Sequence, residues 1–223
     1  MIKINDLDSV AILSDFDGTI TTEDTNAKLI KYFGNEKTRE RYNQYRKGEI
    51  HLLPYLELQY RDIGINEEEY TNFILNKIEI SRGFKEFYEN IKRHNIPFAI
   101  ISGGFNNGIT PFLKKHGIND IDVYANSINF GDEVTLEYYH KTPDCCKLGP
   151  CGNCKIKHYE NYKEEDNIVI FIGDGVTDKP VAEVADIVFA KDGLLDYCKD
   201  NDIDCIPWED FRDINKIIFN KGR

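Results

Sequence analysis

Asp15 and Asp17 stand two residues apart in Ser14-Asp15-Phe16-Asp17-Gly18-Thr19, directly after the apolar run Val10-Ala11-Ile12-Leu13. Alternate residues of an extended chain share a face. The two carboxylates are therefore expected to point into one site, where a strand gives way to a glycine turn. Crowded carboxylates repel, and a cation beside them removes that objection. With the charge balanced, one carboxylate can attack an electrophile while the other moves protons. Taken alone, the string also fits a polar turn at a strand end.

Two later segments narrow the reading. Phe98-Ala99-Ile100-Ile101 runs into Ser102-Gly103-Gly104, and Ile168-Val169-Ile170-Phe171-Ile172 runs into Gly173-Asp174-Gly175-Val176-Thr177-Asp178. Such continuous apolar runs read as strands buried on both faces, the pattern of a parallel sheet. All three carry polar residues at the carboxyl end, the edge where open α/β sheets bind ligands. A glycine turn such as Ser102-Gly103-Gly104 brings backbone N–H groups close to an anion. Asp178 also reads as the N-cap of a helix that Lys179-Pro180 begins.

Asp15-Phe16-Asp17-Gly18-Thr19, Ser102-Gly103 and Gly173-Asp174-Gly175-x-x-Asp178 resemble the first, second and fourth motifs of the haloacid-dehalogenase-like hydrolases. Their order and spacing are similar to those of the phosphoserine-phosphatase-like branch, over roughly Ala11 to Trp208. The resemblance implies a Mg²⁺-dependent phosphatase working through an aspartyl-phosphate, on a doubly wound, Rossmann-like parallel sheet. Asp15 would be the nucleophile and Asp17 the general acid and base. Asp15 and Asp174 would hold Mg²⁺ by side chain and Asp17 by its backbone carbonyl, while Asp178 ligates the ion or holds its waters. Ser102 and the Gly103 amide would receive the phosphoryl oxygens, with Thr19 and Gly104 beside the substrate.

The resemblance also implies a cation that offsets the transferring charge. Family position points to Lys155, with Lys147 and Lys157 as competitors. Asp24 falls where this branch sets an acidic residue against polar substrate groups, and it also reads as a helix cap in Thr22-Glu23-Asp24-Thr25. Cys151-Gly152-Asn153-Cys154-Lys155 is similar to the branch acting on a phosphorylated intermediate of methionine salvage, the expected substrate. Phosphoserine, phosphoethanolamine and phosphocholine are the alternatives. Mutase-type phosphoryl transfer and a non-catalytic metabolite sensor share the fold, and the filled catalytic positions weigh against the sensor.

These residues need elements to position them. Residues 21–81 lack a buried-strand pattern. Leu52, Leu56, Tyr60 and Ile63 follow helical spacing, as do Tyr70, Phe73 and Ile74. Asn66-x-x-Glu69 resembles a helix start with its capping partner. The stretch far exceeds a crossover, since a whole βαβ unit takes about 30 residues. It is expected to form a helical cap over the site, leaving residues 1–20 and 82–223 as the α/β core. Phe84, Phe87, Tyr88 and Ile91 mark a helix returning to the sheet, and the helix after the second strand should stop near Gly117. A third strand is expected at 121–125, a hairpin at 127–139 around Gly131-Asp132, and a helix at 156–162. Short last strands are expected at 187–189 and 203–206.

Composition excludes several classes. The 223 residues are 41% hydrophobic, and no run approaches the ~20 apolar residues of a membrane span. A net charge of −11 argues against a nucleic-acid partner, which wants a basic face. The same charge repels an anionic substrate at long range, so a phosphate site must overcome that field locally. Met1 to Asp6 lack the apolar stretch of a signal peptide, and a cytoplasmic protein acting on a small phosphorylated metabolite is expected. No oligomeric state is encoded in the pattern. Cys145, Cys146, Cys151 and Cys154 cluster as in a zinc knuckle, but a second, separated Cys-x-x-Cys pair is missing. Thiols are expected there, not a closed zinc site.

Overall fold

The computed structural model describes residues 7, 9–140 and 151–219. Seven strands form one sheet: β1 (Val10–Ser14), β2 (Phe98–Phe105), β3 (Asp122–Phe130), β4 (Val134–Glu137), β5 (Ile168–Gly173), β6 (Ile187–Ala190) and β7 (Ile206–Pro207). Their order is β4-β3-β2-β1-β5-β6-β7. Every pairing is parallel except β3 with β4. β1 lies at the centre because both its faces are apolar. Ile12 joins Ile100 and Ile170 on one face, while Ala11 and Leu13 join Ala99, Ile101, Val169 and Phe171 on the other. The chain leaves β1 toward β2 on one side and returns as β5 on the other. A crevice opens where the winding reverses, at the carboxyl end of β1.

Between β1 and β2 come α1 (Thr25–Phe33), α2 (Glu36–Arg46), α3 (Leu52–Ile63), α4 (Glu67–Lys77) and α5 (Phe84–Arg93). Local chemistry starts and stops them. Asp24 caps α1, and Asn35 with Thr38 and Asn66 with Glu69 form reciprocal capping boxes on α2 and α4. α3 ends at Gly64 in the left-handed region. The first four helices leave and rejoin the sheet at one point. Thr21 and Ile80 form an antiparallel bridge, the Thr22 N–H donates to the Glu79 carbonyl at 3.0 Å, and the Ser81 N–H donates to the Ile20 carbonyl at 2.8 Å. Their apolar faces are continuous with the core of the sheet: Leu29, Tyr60, Tyr70 and Phe73 belong to the same cluster as Phe16, Phe105 and Phe112.

The remaining helices are α6 (Asn106–Lys115), α7 (Lys155–Tyr162), α8 (Lys179–Ala182), α9 (Asp192–Asp200) and α10 (Phe211–Ile218). α5, α6 and α10 cover one sheet face, and α7, α8 and α9 the other. None of the described helices is long and apolar enough to cross a membrane. Three details differ from the sequence expectation. The third strand and the first arm of the hairpin are one continuous strand, β3. The last strand begins at Ile206, because the Ile203 N–H is taken by the Cys198 carbonyl at the end of α9. The sequence reading contained no α10, which Asp210 and Asp213 cap.

Candidate active site

The carboxyl edge of the sheet gathers the chemistry. Asp15 follows the last residue of β1, and its N–H donates to the Ile172 carbonyl at 2.9 Å, so the sheet ladder fixes it. Gly18 turns the chain back with φ +77°, and a Cβ there would stand 2.5 Å from Asp174 Oδ2. Thr19, expected near substrate, is fully buried and donates its hydroxyl to Asp174 Oδ1 at 2.7 Å. It therefore orients a carboxylate of the cluster. Asp178 is fully buried, and its Oδ2 accepts the N–H groups of Asp174 (3.0 Å) and Gly175 (2.9 Å). It thus caps the 3₁₀ turn Val176–Asp178 and makes no side-chain cap to α8, the helix that Lys179-Pro180 was expected to begin.

Lys155 opens α7 and is buried. Its Nζ lies 2.7 Å from Asp15 Oδ1 and also bonds Asp178 Oδ1. Lys157 lies two residues further along α7, and Lys147 lies outside the described residues. Burial alone would lower the Lys155 pKa, but Asp15 and Asp178 more than offset it and raise the pKa above the usual value. Oxygens of Asp15, Asp174 and Asp178 all lie within 4.8 Å of one another. Burial, then Asp178, pushes Asp15 well above the usual carboxylate range against the pull of Lys155. Burial and Asp178 likewise push Asp174 up to about 7. Lys155, with Lys191 acting on Asp174 as well, does not balance three crowded carboxylates. The donor set is all hard oxygen and short of positive charge, which fits a hard divalent cation.

Asp17 turns away from this cluster. Its Oδ1 takes the Thr25 hydroxyl and the Thr25 N–H (3.3 Å), and its Oδ2 takes the Ser102 hydroxyl at 3.2 Å. Burial and the charge of Asp24 raise it to about 6, against the hydrogen bonds from Thr25 and Ser102. A carboxyl tuned upward can both give and take a proton near neutrality. Gly104 is required beside it, since a Cβ there would meet Asp17 Oδ2 at 2.3 Å. The Gly104 N–H donates to Ser102 Oγ at 2.9 Å, closing the turn after β2.

Asp15 and Asp17 open into a cavity of about 480 Å³. Gly103, Gly104, Cys151 and Thr177 line its floor, and Asp24, Ala27, Ile30, Lys31, Leu52 and Leu56 its walls. Asp24 caps α1, as expected, by accepting the Ala27 N–H at 2.7 Å, and it also lines the cavity. Of the clustered cysteines, Cys145 and Cys146 lie outside the described residues. Sequence reasoning missed Thr25, which meets Asp17 from the first turn of α1. Its only signal was adjacency to a predicted cap.

The model of the haloacid dehalogenase-like hydrolases matches residues 12–183 of this chain. The chain is 32% identical over 208 residues to a 2-hydroxy-3-keto-5-methylthiopentenyl-1-phosphate phosphatase of Bacillus cereus, covering 92% of this chain and 94% of that protein. A protein of the same name from Bacillus pumilus is 32% identical over 205 residues, covering 91% of this chain and 88% of that protein. Among solved structures, a substrate-bound phosphoserine phosphatase superposes with a TM-score of 0.65 at 21% identity, covering 94% of this chain and 98% of that one. A hydrolase of the haloacid dehalogenase family from Salmonella enterica gives 0.71 at 18% identity, covering 96% and 72%. The two structural likenesses concern the fold.

Proposed function

The chain belongs to the haloacid dehalogenase-like hydrolases, and on that premise we propose that it hydrolyses 2-hydroxy-3-keto-5-methylthiopentenyl 1-phosphate through an aspartyl-phosphate on Asp15. An Asp15 carboxylate oxygen attacks phosphorus, and the bond to the ester oxygen breaks. Asp17 gives its proton to the departing alkoxide. Asp17 then takes a proton from water, whose oxygen attacks phosphorus; the phosphorus–oxygen bond to Asp15 breaks, which restores the carboxylate and releases inorganic phosphate. Lys155 offsets the charge on Asp15 throughout, while the Ser102 hydroxyl and the Gly103 N–H receive the phosphoryl oxygens. Asp15 and Asp174, with Asp178 beside them and the Asp17 carbonyl, would hold Mg²⁺, which would supply the positive charge that Lys155 does not. Residues 21–81 act as a cap that keeps bulk water from the first transfer and limits the substrate to small molecules. On this reading the enzyme works in the cytoplasm on a free metabolite.

One observation carries the choice of substrate. The cavity above the two aspartates has an apolar wall, Ala27, Ile30, Leu52 and Leu56, suited to a methylthio tail. Burying such a tail contributes about 1.5 kcal/mol, roughly tenfold in kcat/KM. Asp24 and Lys31 in the same cavity favour a second reading, phosphoserine, whose ammonium and carboxylate they would meet. A comparison of kcat/KM for both esters, phosphoethanolamine and phosphocholine decides between them. The methylthio ester is expected to lead, and a phosphoserine preference would reverse the assignment. Stripping with EDTA should abolish turnover and Mg²⁺ should restore it. Excess Ca²⁺ should inhibit, because it takes more ligands in a looser geometry. Full activity after exhaustive stripping would remove the metal from the scheme.

A further inference from the structure

Beneath the site lies a buried polar knot that the chemistry above does not use. Asn153 is 2% exposed. Its amide nitrogen donates to the Ser102 carbonyl at 2.9 Å and to the Tyr124 carbonyl at 2.8 Å, so it ties the end of β2 to β3. Its Oδ1 lies 2.7 Å from His158 Nε2, one turn along α7. The next residue, Cys154, donates its N–H to His140 Nδ1 at 3.0 Å. His140 Nδ1 also lies 3.2 Å from Asn153 Oδ1, so both imidazoles converge on the Asn153 amide oxygen, and that acceptor calls for a proton on His158 Nε2. Burial and neighbouring positive charge hold both imidazoles below their usual pKa, His158 at about 4, in keeping with neutral rings. His158 also stacks on Tyr124 with centroids 4.7 Å apart. Every donor and acceptor of the Asn153 side chain is thus engaged, and its orientation is set.

The consequence for the site follows from peptide geometry. The described backbone has no cis bonds, so the C=O and N–H of a peptide unit point in opposite directions. Asn153 draws the Ser102 carbonyl away from the cavity, and the Gly103 N–H of that same peptide must face the other way. A second buried amide acts on the next peptide: Asn126 donates to the Gly103 carbonyl at 2.9 Å, while the Gly104 N–H turns to Ser102 Oγ. Two residues after Asn153 stands Lys155, held at the start of α7 by the same network.

We propose that Asn153 is a positioning residue that locks the Ser102–Gly103 turn to the start of α7, so that the phosphoryl-receiving amide and the Lys155 ammonium keep one fixed separation. The role rests on the phosphatase reading. It acts through groups that stabilise charge in the reacting state, so its loss should appear in kcat. A thermodynamic cycle in the full-length protein with Mg²⁺ tests it, using wild type, Asn153→Ala, Lys155→Met and the double variant. Asn153→Ala should lower kcat by about 10- to 100-fold and leave KM within about threefold. In the Lys155→Met background the same change should cost less than about threefold, because with the ammonium gone there is no separation left to keep. Losses that multiply in the double variant, or an effect confined to KM, would assign Asn153 to folding alone and overturn the proposal. If Asn153→Ala does not fold, His158→Phe keeps the stacking ring and removes the N–H that orients Asn153. It should lower kcat with the same lack of multiplication. Where turnover falls below detection, orthovanadate affinity gives the same comparison. If wild type hydrolyses no phosphate ester, it is the phosphatase reading that fails.

Discussion

An amide at position 15 would keep the shape of the site and remove the proposed nucleophile. Asp15→Asn should therefore bring turnover below detection in a protein that folds normally by circular dichroism, since no aspartyl-phosphate can form. Measurable turnover near the wild-type rate would assign the attack to another group. Asp17 makes a subtler prediction. A general acid matters in proportion to how badly the leaving group needs a proton. Asp17→Asn should thus depress kcat for an alkyl phosphate far more than for p-nitrophenyl phosphate, whose leaving group departs as a stable anion. Equal losses on both esters would show that Asp17 organises Thr25 and Ser102 instead of moving a proton. Asp15, Asp17 and Asp174 could be read from sequence because they stand within three residues of the end of an apolar strand, so chain order and position in space coincide. Thr25, Asn126 and Asn153 could not, because their partners are set by the folded chain: Thr25 reaches Asp17 only once the turn at Gly18 brings the start of α1 back to the strand end, and Asn126 reaches Gly103 across the β2–β3 pairing.

Elements register the same contrast between local and long-range causes. The capping box of α4 was visible as Asn66-x-x-Glu69, because both partners lie within one turn. The shortening of the last strand was not, because it depends on the Cys198 carbonyl competing for the Ile203 N–H. α10 carries the three-and-four spacing of Phe211, Ile214 and Ile218, but it starts at an aspartate pair and lacks the more familiar Ser/Thr and Glu signature. Its packing gives a stability prediction. Gly83 begins α5 with φ +82°, and a Cβ there would meet the Arg212 nitrogen, in α10, at 2.6 Å. Gly83→Ala combines left-handed strain with a backbone clash and should cost about 2–4 kcal/mol in urea unfolding. A change below about 0.5 kcal/mol would mean that α10 moves freely relative to α5.

At the scale of the whole molecule, a charge of −11 works against a phosphate ester approaching a site that is itself acidic. Added KCl should raise kcat/KM at subsaturating substrate, because screening shortens the reach of that repulsion to ~8 Å at physiological ionic strength. A fall in kcat/KM with salt would reveal local steering by lysines such as Lys31 instead. The sheet order carries a consequence of another kind, for biosynthesis. β1 is translated first, yet its two neighbours are residues 98–105 and 168–173. At about 5–20 residues per second, the strand that carries Asp15 waits on the order of ten seconds or more after its synthesis for its second flank to exist. During that interval Val10 to Leu13 present an apolar strand with an unpaired edge, the kind of segment that chaperones hold and that aggregation recruits. A chain cut short anywhere before β5 would keep that edge for good.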